Sequence, residues 1–516
     1  MTRDGKSNKW IITMSVMTGS IMSSINISIV NVALPHMRGS FGASVEEITW
    51  VATGYMLSQV IIMPLVAMLS SRFGRKRYYQ FSVFLFTLSS MLCGVAWDLT
   101  SMVAFRMIQG IGGGTLVPVS QAILRETFPV EEQGTAMGIY GIGAIFGPAI
   151  GPTLGGWLID NYSWPWIFYV NVPVGIVNML LVMRFISDPP YLVREKGKID
   201  ISGLMLLIIG LGALQLMIEK GGEKNWFESG LIIYLALSAG AGLLLFIWRE
   251  LSTDKPAVDL RILKNVTFAS GTMLNGILGM GLMGSLFLLP LLLQQLLGYP
   301  AYDSGIALLP RSIAMGITML VAGRFYNRLG PRPLVGSGLI VCVFSFWQLS
   351  RLSLSVGFWD ILIPLFLQGI GFGLVFVALS TVALSVIERP KLTAATGLYN
   401  VVRQVFSSVG IAMAASQLTR AETISRAVLV ENVVNSRDIT TEWLRVFSDA
   451  MLSQGSDPLS ADQRALKLMD AKIMKQASML AFNHVFWLIA CVFIISIPFV
   501  FLLKRKQQGF KQGYHS

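Results

Sequence analysis

The run ISGLMLLIIGLGALQLMIE occupies residues 201–219 and carries one ionisable side chain, at its last position. A helix of this length crosses the apolar core of a bilayer. Fourteen long apolar runs can be marked along the 516 residues, of which 53% are apolar and only 13% charged. This composition excludes an ordinary soluble enzyme and predicts an all-α polytopic membrane protein. The predicted spans, 1 to 14, are 10–35, 48–70, 78–97, 101–124, 133–158, 164–186, 201–219, 230–249, 266–296, 303–326, 333–353, 357–386, 393–419 and 482–503.

Charged residues are unevenly distributed between the loops that join these spans. With the N-terminus inside, the inner loops and tails hold most of the 40 lysines and arginines. A basic excess marks the cytoplasmic side, so both termini are predicted to be cytoplasmic. Topology and contact with anionic lipid head groups explain the net charge of +12, and nucleic acid is not an expected partner. The inner basic residues include Arg72, Arg75, Lys76, Arg77, Lys196, Lys198, Arg324, Arg328 and Arg332.

Two parts of the chain repeat each other. The sequence QGIGGG at 109–114 in span 4 returns as QGIGFG at 368–373 in span 12. The offset between these two blocks equals that between Gly138 in span 5 and Gly397 in span 13. Paired helical bundles around a central cavity are typical of alternating-access transporters. The predicted domains are a six-helix bundle at 1–190, a two-helix insert with its flanking loops at 191–262, and a second six-helix bundle at 263–516 that includes an outer segment at 420–481 and a cytoplasmic tail.

Five motifs follow one another in a recognisable order. With them the chain resembles the major facilitator superfamily and, within it, the fourteen-span drug/proton antiporters of the EmrB/QacA type. The resemblance covers nearly the whole chain and implies the major facilitator fold with 14 transmembrane helices. The motifs are Asn31-Val32-Ala33-Leu34-Pro35, Leu69-x-x-Arg72-x-Gly74-Arg75-Lys76, Arg106-x-x-Gln109-Gly110, Gly143-x-x-x-Gly147-Pro148-x-x-Gly151-Pro152-x-x-Gly155-Gly156, and Trp166-Ile167-Phe168-Tyr169-Val170-Asn171-Val172-Pro173.

The resemblance implies a secondary active multidrug exporter of lipophilic or amphiphilic compounds, driven by proton antiport, in the cytoplasmic membrane of a bacterium. Relatives often work with a periplasmic membrane-fusion adaptor and an outer-membrane channel. The outer segment 420–481 is a candidate contact for that adaptor. It contains a turn at 456–458 between two helix-like stretches, with a flexible surface loop as the alternative. The resemblance also implies a gating loop, which contains Arg72, Gly74, Arg75 and Lys76 and is repeated in the second half as Arg328 and Gly330.

Two departures from the family pattern concern acidic residues. Many relatives carry an acid in span 1, where this chain has Asn26, which cannot bind and release a proton. The usual aspartate of the basic loop is Ser71 here and Asn327 in the second copy. The charge lock commonly assigned to this loop is therefore weaker or built differently. The alternatives are a weakly coupled member, a dedicated exporter of one endogenous lipid, siderophore or metabolite, and a sensor that does not transport.

Small residues form a stripe along span 5. Gly143, Gly147, Gly151 and Gly155 are spaced by four, so a neighbouring helix can approach closely. Two prolines favour a bend. A gate between the halves and simple helix packing both explain this antiporter motif, which includes Pro148, Pro152 and Gly156.

Ionic residues inside the spans are few. Arg106 and Arg403 lie deep and are predicted to have functional roles, whereas Arg311, nearer the outer end of span 10, is expected to extend its charge to the interface. No acid lies well inside a span. Proton coupling is therefore expected to use competition at Arg106 or the edge acids Asp303 and Asp360. The unpaired cationic interior predicts tolerance for neutral or anionic amphiphiles.

Amide side chains complete the predicted site. They come from spans 1, 4, 12 and 13 and make a plausible polar lining for a substrate cavity, although any one of them could bond a neighbouring helix instead. The glycine-rich runs lack the lysine of a phosphate loop, so no nucleotide is expected. Three cysteines and three histidines show no ligand spacing, and no metal, cofactor or enzymatic activity is predicted. The amides are Asn26, Asn31, Gln109, Gln368, Asn400 and Gln404.

Overall fold

The computed structural model describes residues 9–188, 200–253, 256–431, 433, 438–453 and 457–504. Fifteen long helices form within these ranges, which contain no strand. Eleven helical segments are long and apolar enough to cross a membrane. The helices are α1 Lys9–Phe41, α2 Val45–Phe73, α3 Arg75–Gly94, α4 Leu99–Thr127, α5 Gln133–Asn161, α6 Trp166–Phe185, α7 Ile201–Gly221, α8 Gly230–Ser252, α9 Val266–Leu296, α10 Ala301–Leu329, α11 Pro331–Leu349, α12 Phe358–Ser385, α13 Leu392–Glu431, α14 Asp438–Ser453 and α15 Pro458–Ser496.

The helices follow the predicted spans but overrun several of their ends. Spans 1 to 13 correspond to α1 to α13 and span 14 corresponds to α15, although spans 3, 11 and 14 were predicted to end a few residues later than their helices do. The helices α3, α5 and α13 are not among the eleven apolar segments. The helix α1 continues through Pro35, the predicted end of span 1, to Phe41. The helix α15 begins at Pro458, well before the predicted start of span 14 at residue 482.

The outer segment 420–481 is therefore mainly helical. It consists of the end of α13, the separate helix α14 and the first turns of α15, with residues 432, 434–437 and 454–456 outside the described part. Asp457 caps α15 by accepting from the Ser460 N–H, and hydrogen bonds from Ser460 lower the pKa of Asp457. The expected turn at 456–458 thus includes a helix cap.

Helices α1 to α6 pack into one bundle, in which α5 crosses α1 closely. All four glycines of the span-5 stripe face α1: a Cβ atom on Gly147 would lie 2.6 Å from the backbone carbon of Ser24. The stripe thus packs two helices of the same bundle. Pro152 is exposed and Gly156 has open space around it, whereas the side chain of Pro148 lies outside the described part of the chain.

A second bundle contains α9 to α13 and α15. Its interior is aromatic, with the rings of Phe346 and Phe493 stacked at a centroid distance of 5.6 Å and Phe372 packed at their edge. Buried aromatic pairs of this kind add stability beyond their area. They hold α11, α12 and α15 together.

The remaining spanning helices, α7 and α8, pack on each other through glycine. A Cβ atom on Gly210 would lie 2.9 Å from the Leu243 backbone nitrogen, so the helices touch at the main chain. At the start of α7, hydrogen bonds from Arg249 lower the pKa of Asp200 to about 2. α7 also contacts α2 and α13, while α8 exposes apolar side chains such as Trp248. The pair therefore touches both bundles and presents an apolar outer surface.

The two bundles meet at one end of the molecule, called the basic end. There α2 turns into α3 at Gly74 and α10 turns into α11 at Gly330, with φ of 88° and 80°, values that glycine adopts without strain. Contacts between the bundles are concentrated near this end. A Cβ atom on Gly134 of α5 would lie 2.7 Å from the Gly323 carbonyl oxygen of α10. Close backbone packing thus closes the basic end.

Candidate functional site

Arg106 lies at the centre of a polar cluster inside the first bundle. Its side chain is 1% exposed. The guanidinium group donates to the Val51 carbonyl oxygen at 2.9 Å, to Gln109 Oε1 at 2.5 Å and to Asn26 Oδ1. It also lies 4.3 Å from the centroid of the Tyr55 ring. Oxygen dipoles and a π face therefore surround the charge, and no carboxylate is among these partners.

The surrounding helices hold the acceptors of this cluster in place. Arg106 and Gln109 are three residues apart on α4 and so share a face of the helix. Gln109 donates through Nε2 to Ser90 Oγ of α3 at 2.6 Å, which turns its Oε1 towards the guanidinium group. Asn26 is fully buried on α1. Three residues that were predicted separately, Arg106, Asn26 and Gln109, are thus hydrogen-bonded to one another. We call them the first arginine cluster.

A second arginine cluster occupies the interior of the other bundle. Arg311 of α10 is 5% exposed and donates through Nη1 to Ser285 Oγ and Gln368 Oε1, both at 3.2 Å. Ser285 donates to the same Gln368 oxygen at 3.0 Å. The expectation that Arg311 extends to the interface was wrong. The helix α12 has Gly369 where it meets Arg311, and this close approach encloses the side chain.

The two clusters are related by the sequence repeat. The offset from Asn26 to Ser285 equals that from Gln109 to Gln368. Each pair therefore supplies acceptors at equivalent places in the two bundles. The arginines are not equivalent, because Arg106 comes from α4 and Arg311 from α10. Sequence reasoning missed Ser285, although the repeat carries the signal that would have found it.

Asn400 joins the two bundles rather than either cluster. It is fully buried on α13 and donates through Nδ2 to Gln121 Oε1 of α4 at 2.7 Å. One turn later on α4, Arg125 donates to the Thr381 carbonyl oxygen at 2.9 Å. Gln121 was not predicted, although an amide within an apolar span is itself a signal for an interhelical bond. Asn400 therefore bonds a neighbouring helix, which was the alternative to a place in the cavity lining.

The other predicted lining residues lie apart from these bonds. Arg403 and Gln404 are half-buried, and the Arg403 guanidinium lies 6.0 Å from the centroid of the Phe376 ring. Asn31 is exposed on α1. The six predicted amides are thus divided between two clusters, one bundle contact and two less buried positions.

The edge acids lie at the ends of their helices. Asp303 is exposed in the first turn of α10. Asp360 is exposed in the first turn of α12 and accepts from the Gly357 N–H at 2.9 Å, the position of a carboxylate that stabilises a helix N-terminus. Helix capping accounts for Asp360, and its role in proton coupling stays a prediction, as does that of Asp303.

Comparison with known proteins identifies the family. The family described as Major Facilitator Superfamily matches residues 16–411. The chain belongs to the major facilitator superfamily. It is 32% identical to the multidrug export protein EmrB of Escherichia coli over 495 residues, which are 96% of this chain and 95% of the relative. It is 31% identical to the fatty acid resistance protein FarB of Neisseria gonorrhoeae over 504 residues, 97% of each chain.

Solved structures of the superfamily share the fold. The proton:xylose symporter XylE matches with a TM-score of 0.60 at 13% identity, covering 96% of both chains. The human organic anion transporter MFSD10 matches with a TM-score of 0.61 at 14% identity, covering 94% of this chain and 99% of that one. The protein is thus a multi-pass, all-α membrane protein with the major facilitator fold.

The basic loop of this superfamily member takes its acids from elsewhere in the chain. Arg75 is 2% exposed and pairs with Glu126 at the end of α4. The Lys76 N–H donates to Asp188 Oδ1 at 2.7 Å, after the end of α6. These contacts supply carboxylates that the loop itself lacks at Ser71. This geometry agrees with the expectation that the charge contacts of the basic loop are built differently from those of the family pattern. Arg72 of the same loop is exposed.

The second copy of the loop has different contacts. Arg328 is exposed, with its guanidinium 6.0 Å from the centroid of the Phe325 ring. Arg332 donates through Nε to the Leu503 carbonyl oxygen at 2.7 Å. Asn327 donates to the Glu131 carbonyl oxygen before α5, which links this loop to the first bundle. The two loops therefore share the glycine turn but not the partners of their basic side chains.

Proposed function

We propose that the protein is a secondary active multidrug exporter that moves lipophilic or amphiphilic compounds out of the cell by alternating access. The observation that carries the proposal is a pair of bundles, joined at one end, in a chain that matches multidrug export proteins over nearly its whole length. Rocking of two bundles about a site between them is how such folds expose a substrate to either side in turn.

The proposed location is the cytoplasmic membrane of a bacterium, with both termini and the basic end in the cytoplasm. The basic loops at Gly74 and Gly330 support this orientation. The proposed division is six spans, an insert of two, and six spans, which the packing of α7 and α8 against both bundles supports. With the basic end closed, the bundles are arranged as in an outward-facing state.

The proposed substrates are neutral or anionic amphiphiles. Both arginine clusters surround a buried guanidinium group with neutral acceptors among the described residues, so the interior of each bundle carries a positive charge that favours an anion in the space between the bundles. The name of the relative FarB, a fatty acid resistance protein, also supports an anionic amphiphile. The second candidate is therefore a dedicated exporter of one endogenous lipid-like acid, which the same clusters would serve.

Proton antiport is the proposed energy source. Asn26 has no carboxyl group to carry a proton, so another group must do so or the substrate must carry its own proton. A member without any such group would be weakly coupled or passive. This outcome is the alternative against which antiport is tested.

A periplasmic membrane-fusion adaptor and an outer-membrane channel are the proposed partners. The helical outer segment at 420–481 supports a docking role, because α14 packs against α15 on the side away from the basic end. Its exposed side chains include Trp443 and Leu459, which suit an apolar contact. Deletion of α14 is expected to abolish resistance in cells while leaving transport by the purified protein unchanged.

The test is transport by purified protein in proteoliposomes under an imposed pH gradient. An anionic anilinonaphthalene sulfonate dye and a lipophilic cationic dye such as ethidium are compared. We expect gradient-driven transport of the anionic dye that collapses with a protonophore, at a rate several-fold above that of the cation. A preference for the cation would contradict the proposed substrate class.

The gradient itself provides the control for coupling. Dye movement at the same rate with and without the pH gradient would contradict antiport and favour the passive alternative. Resistance of producing cells to several unrelated toxic compounds distinguishes a multidrug exporter from a dedicated one. Protection against one lipid-like acid alone would favour the second candidate.

A further inference from the structure

A carboxyl group of the two-helix insert is linked to both bundles, directly to one and through a glutamine to the other. Glu219 lies near the end of α7 that is remote from the basic end, and its side chain is half-buried. It accepts a hydrogen bond from Gln215 Nε2 at 2.6 Å, one helical turn earlier. The hydroxyl group of Thr53 in α2 faces the same carboxyl group. Glu219 is the last residue of the apolar run 201–219, yet in the folded protein its carboxyl group packs against α2 and the Gln215 side chain.

Gln215 extends this contact to the second bundle. Its side chain is fully buried, and Nε2 also donates to Ser408 Oγ of α13 at 2.8 Å. A carboxyl group, an amide and a hydroxyl group thus connect α7 with α13, while Thr53 connects it with α2. Gln215 Oε1 is buried and accepts no hydrogen bond within the part of the chain that the structure describes. A buried carbonyl oxygen without a donor is costly and is available to a donor that forms later.

Glu219 has two charged neighbours, which pair with each other. Lys220 and Glu223 are the charged groups that act on Glu219, while α2 faces it with Thr53 and α13 reaches it through Gln215. The Lys220 amino group donates to Thr49 Oγ1 at 2.7 Å and pairs with Glu223 at 2.8 Å. Among the described residues, Glu219 forms no ion pair that would hold it ionised.

We propose that Glu219 is the group that binds the coupling proton, and that Gln215 transmits its protonation to the second bundle. This inference rests on the proposed function and adds the residue that replaces the missing acid of span 1. As a carboxylate, Glu219 accepts from Gln215 Nε2. Once it takes a proton from the outer side it becomes a donor, and Gln215 Oε1 is the acceptor that it needs.

Turning the amide over makes that exchange and gives the new Glu219 O–H an acceptor. Ser408 then faces Oε1 in place of Nε2, so its hydroxyl group donates instead of accepting and the bond between α7 and α13 reverses its direction with the protonation of Glu219. Release of the proton restores the carboxylate and the original bonds. The net result is one proton bound and one released, with no other bond made or broken. The bond between the insert and the second bundle thereby depends on the proton.

The experiment compares Glu219→Gln with the unaltered protein in proteoliposomes containing the anionic dye. Two processes are measured: accumulation driven by a pH gradient, and exchange of dye between equal concentrations at uniform pH, which needs no net proton movement. We expect accumulation to fall at least about tenfold, whereas exchange stays within about twofold. Glu228→Gln, which alters an exposed acid in the connection between α7 and α8, is the matched control and should keep both processes.

Retained exchange also shows that the variant is folded. Glu219→Asp keeps the carboxyl group and should restore part of the accumulation. Gradient-driven accumulation by Glu219→Gln at the unaltered rate overturns the inference, and so does equal loss of exchange and accumulation. If the unaltered protein neither accumulates nor exchanges dye, the proposed function itself fails, which is a different result.

Discussion

The two arginine clusters have the same design but different strength. In the first, Arg106 makes three hydrogen bonds and lies over the Tyr55 ring. In the second, Arg311 makes two bonds at 3.2 Å. Each cluster leaves one buried amide nitrogen without an acceptor among the described residues, Asn26 Nδ2 in the first and Gln368 Nε2 in the second. The difference therefore lies in the guanidinium group, which has more and shorter hydrogen bonds in the first cluster.

The comparison shows that the repeat preserves a place for a guanidinium group and not the arginine itself. Equivalent positions on the first and fourth helices of each bundle provide the acceptors, namely Asn26 with Gln109 and Ser285 with Gln368. The arginine comes from α4 in the first bundle and from α10 in the second. A buried cation among neutral acceptors is costly to maintain, and its presence in both bundles supports the proposed class of substrate.

The largest effect is expected for Arg106→Ala. The change leaves the side-chain oxygens of Asn26 and Gln109 without their donor, each at a cost of about 1–3 kcal/mol. It also removes the cation from the first cluster. We expect dye transport in proteoliposomes to fall at least about tenfold and the thermal unfolding midpoint in detergent to drop.

Arg106→Lys is the matched control for that change. An ammonium group keeps the charge but cannot donate in the fixed directions of a guanidinium group. We expect it to recover less than about half of the lost transport. Transport by Arg106→Ala at the unaltered rate would contradict a role for the first cluster.

A smaller effect is expected for Arg311→Ala. Its two longer bonds are worth less, so transport should fall about threefold and the unfolding midpoint should change less than for Arg106→Ala. The measurement is the same dye assay with both variants in parallel. A loss as severe as that of Arg106→Ala would show that the two clusters contribute equally, against the ranking drawn from their geometry.

Asn26→Asp sharpens the comparison by changing charge in one cluster alone. A carboxylate beside Arg106 neutralises the guanidinium group, so the preference for anionic over cationic dye should fall about threefold. The buried pair should also raise the unfolding midpoint at neutral pH. An unchanged dye preference would indicate that the first cluster does not sense substrate charge.

The smallest effect is expected for Ser285→Asn, which gives the second cluster the amide of the first. A closer acceptor for Arg311 is worth about 0.6 kcal/mol inside a membrane. We expect a small rise in the unfolding midpoint and transport within about twofold of the unaltered rate. A fall in stability would mean that the space around Ser285 does not accommodate an amide.

The sequence predicted the fold better than the site. Apolar runs reveal spanning helices directly, because each must satisfy its backbone internally, but they do not mark where a helix ends outside the membrane, as at α15. The depth of Arg106 was predicted from its position within a long run. Arg311 was misjudged because its burial depends on the approach of α12 at Gly369, a tertiary contact.

Glu219 illustrates the same limit. It lies at the last position of an apolar run, so sequence position alone places it at the membrane edge. Its enclosure arises from packing of α7 against α2 and α13, which no local pattern encodes. By contrast, Ser285 could have been predicted from the sequence. Its offset from Asn26 equals the offset of Gln368 from Gln109, so the repeat pairs these positions.

The glycine crossing at the basic end also determines how the conformational equilibrium can be biased. Gly134 and Gly323 lie so close that a Cβ atom on either would come within about 2.7 Å of the other's carbonyl oxygen. A methyl group there acts as a wedge in one state and meets open space once the ends separate. A strain of about 1–3 kcal/mol shifts a two-state population roughly five- to 150-fold. One added carbon atom would thus favour the state in which the basic end is open, without touching the substrate or the proton.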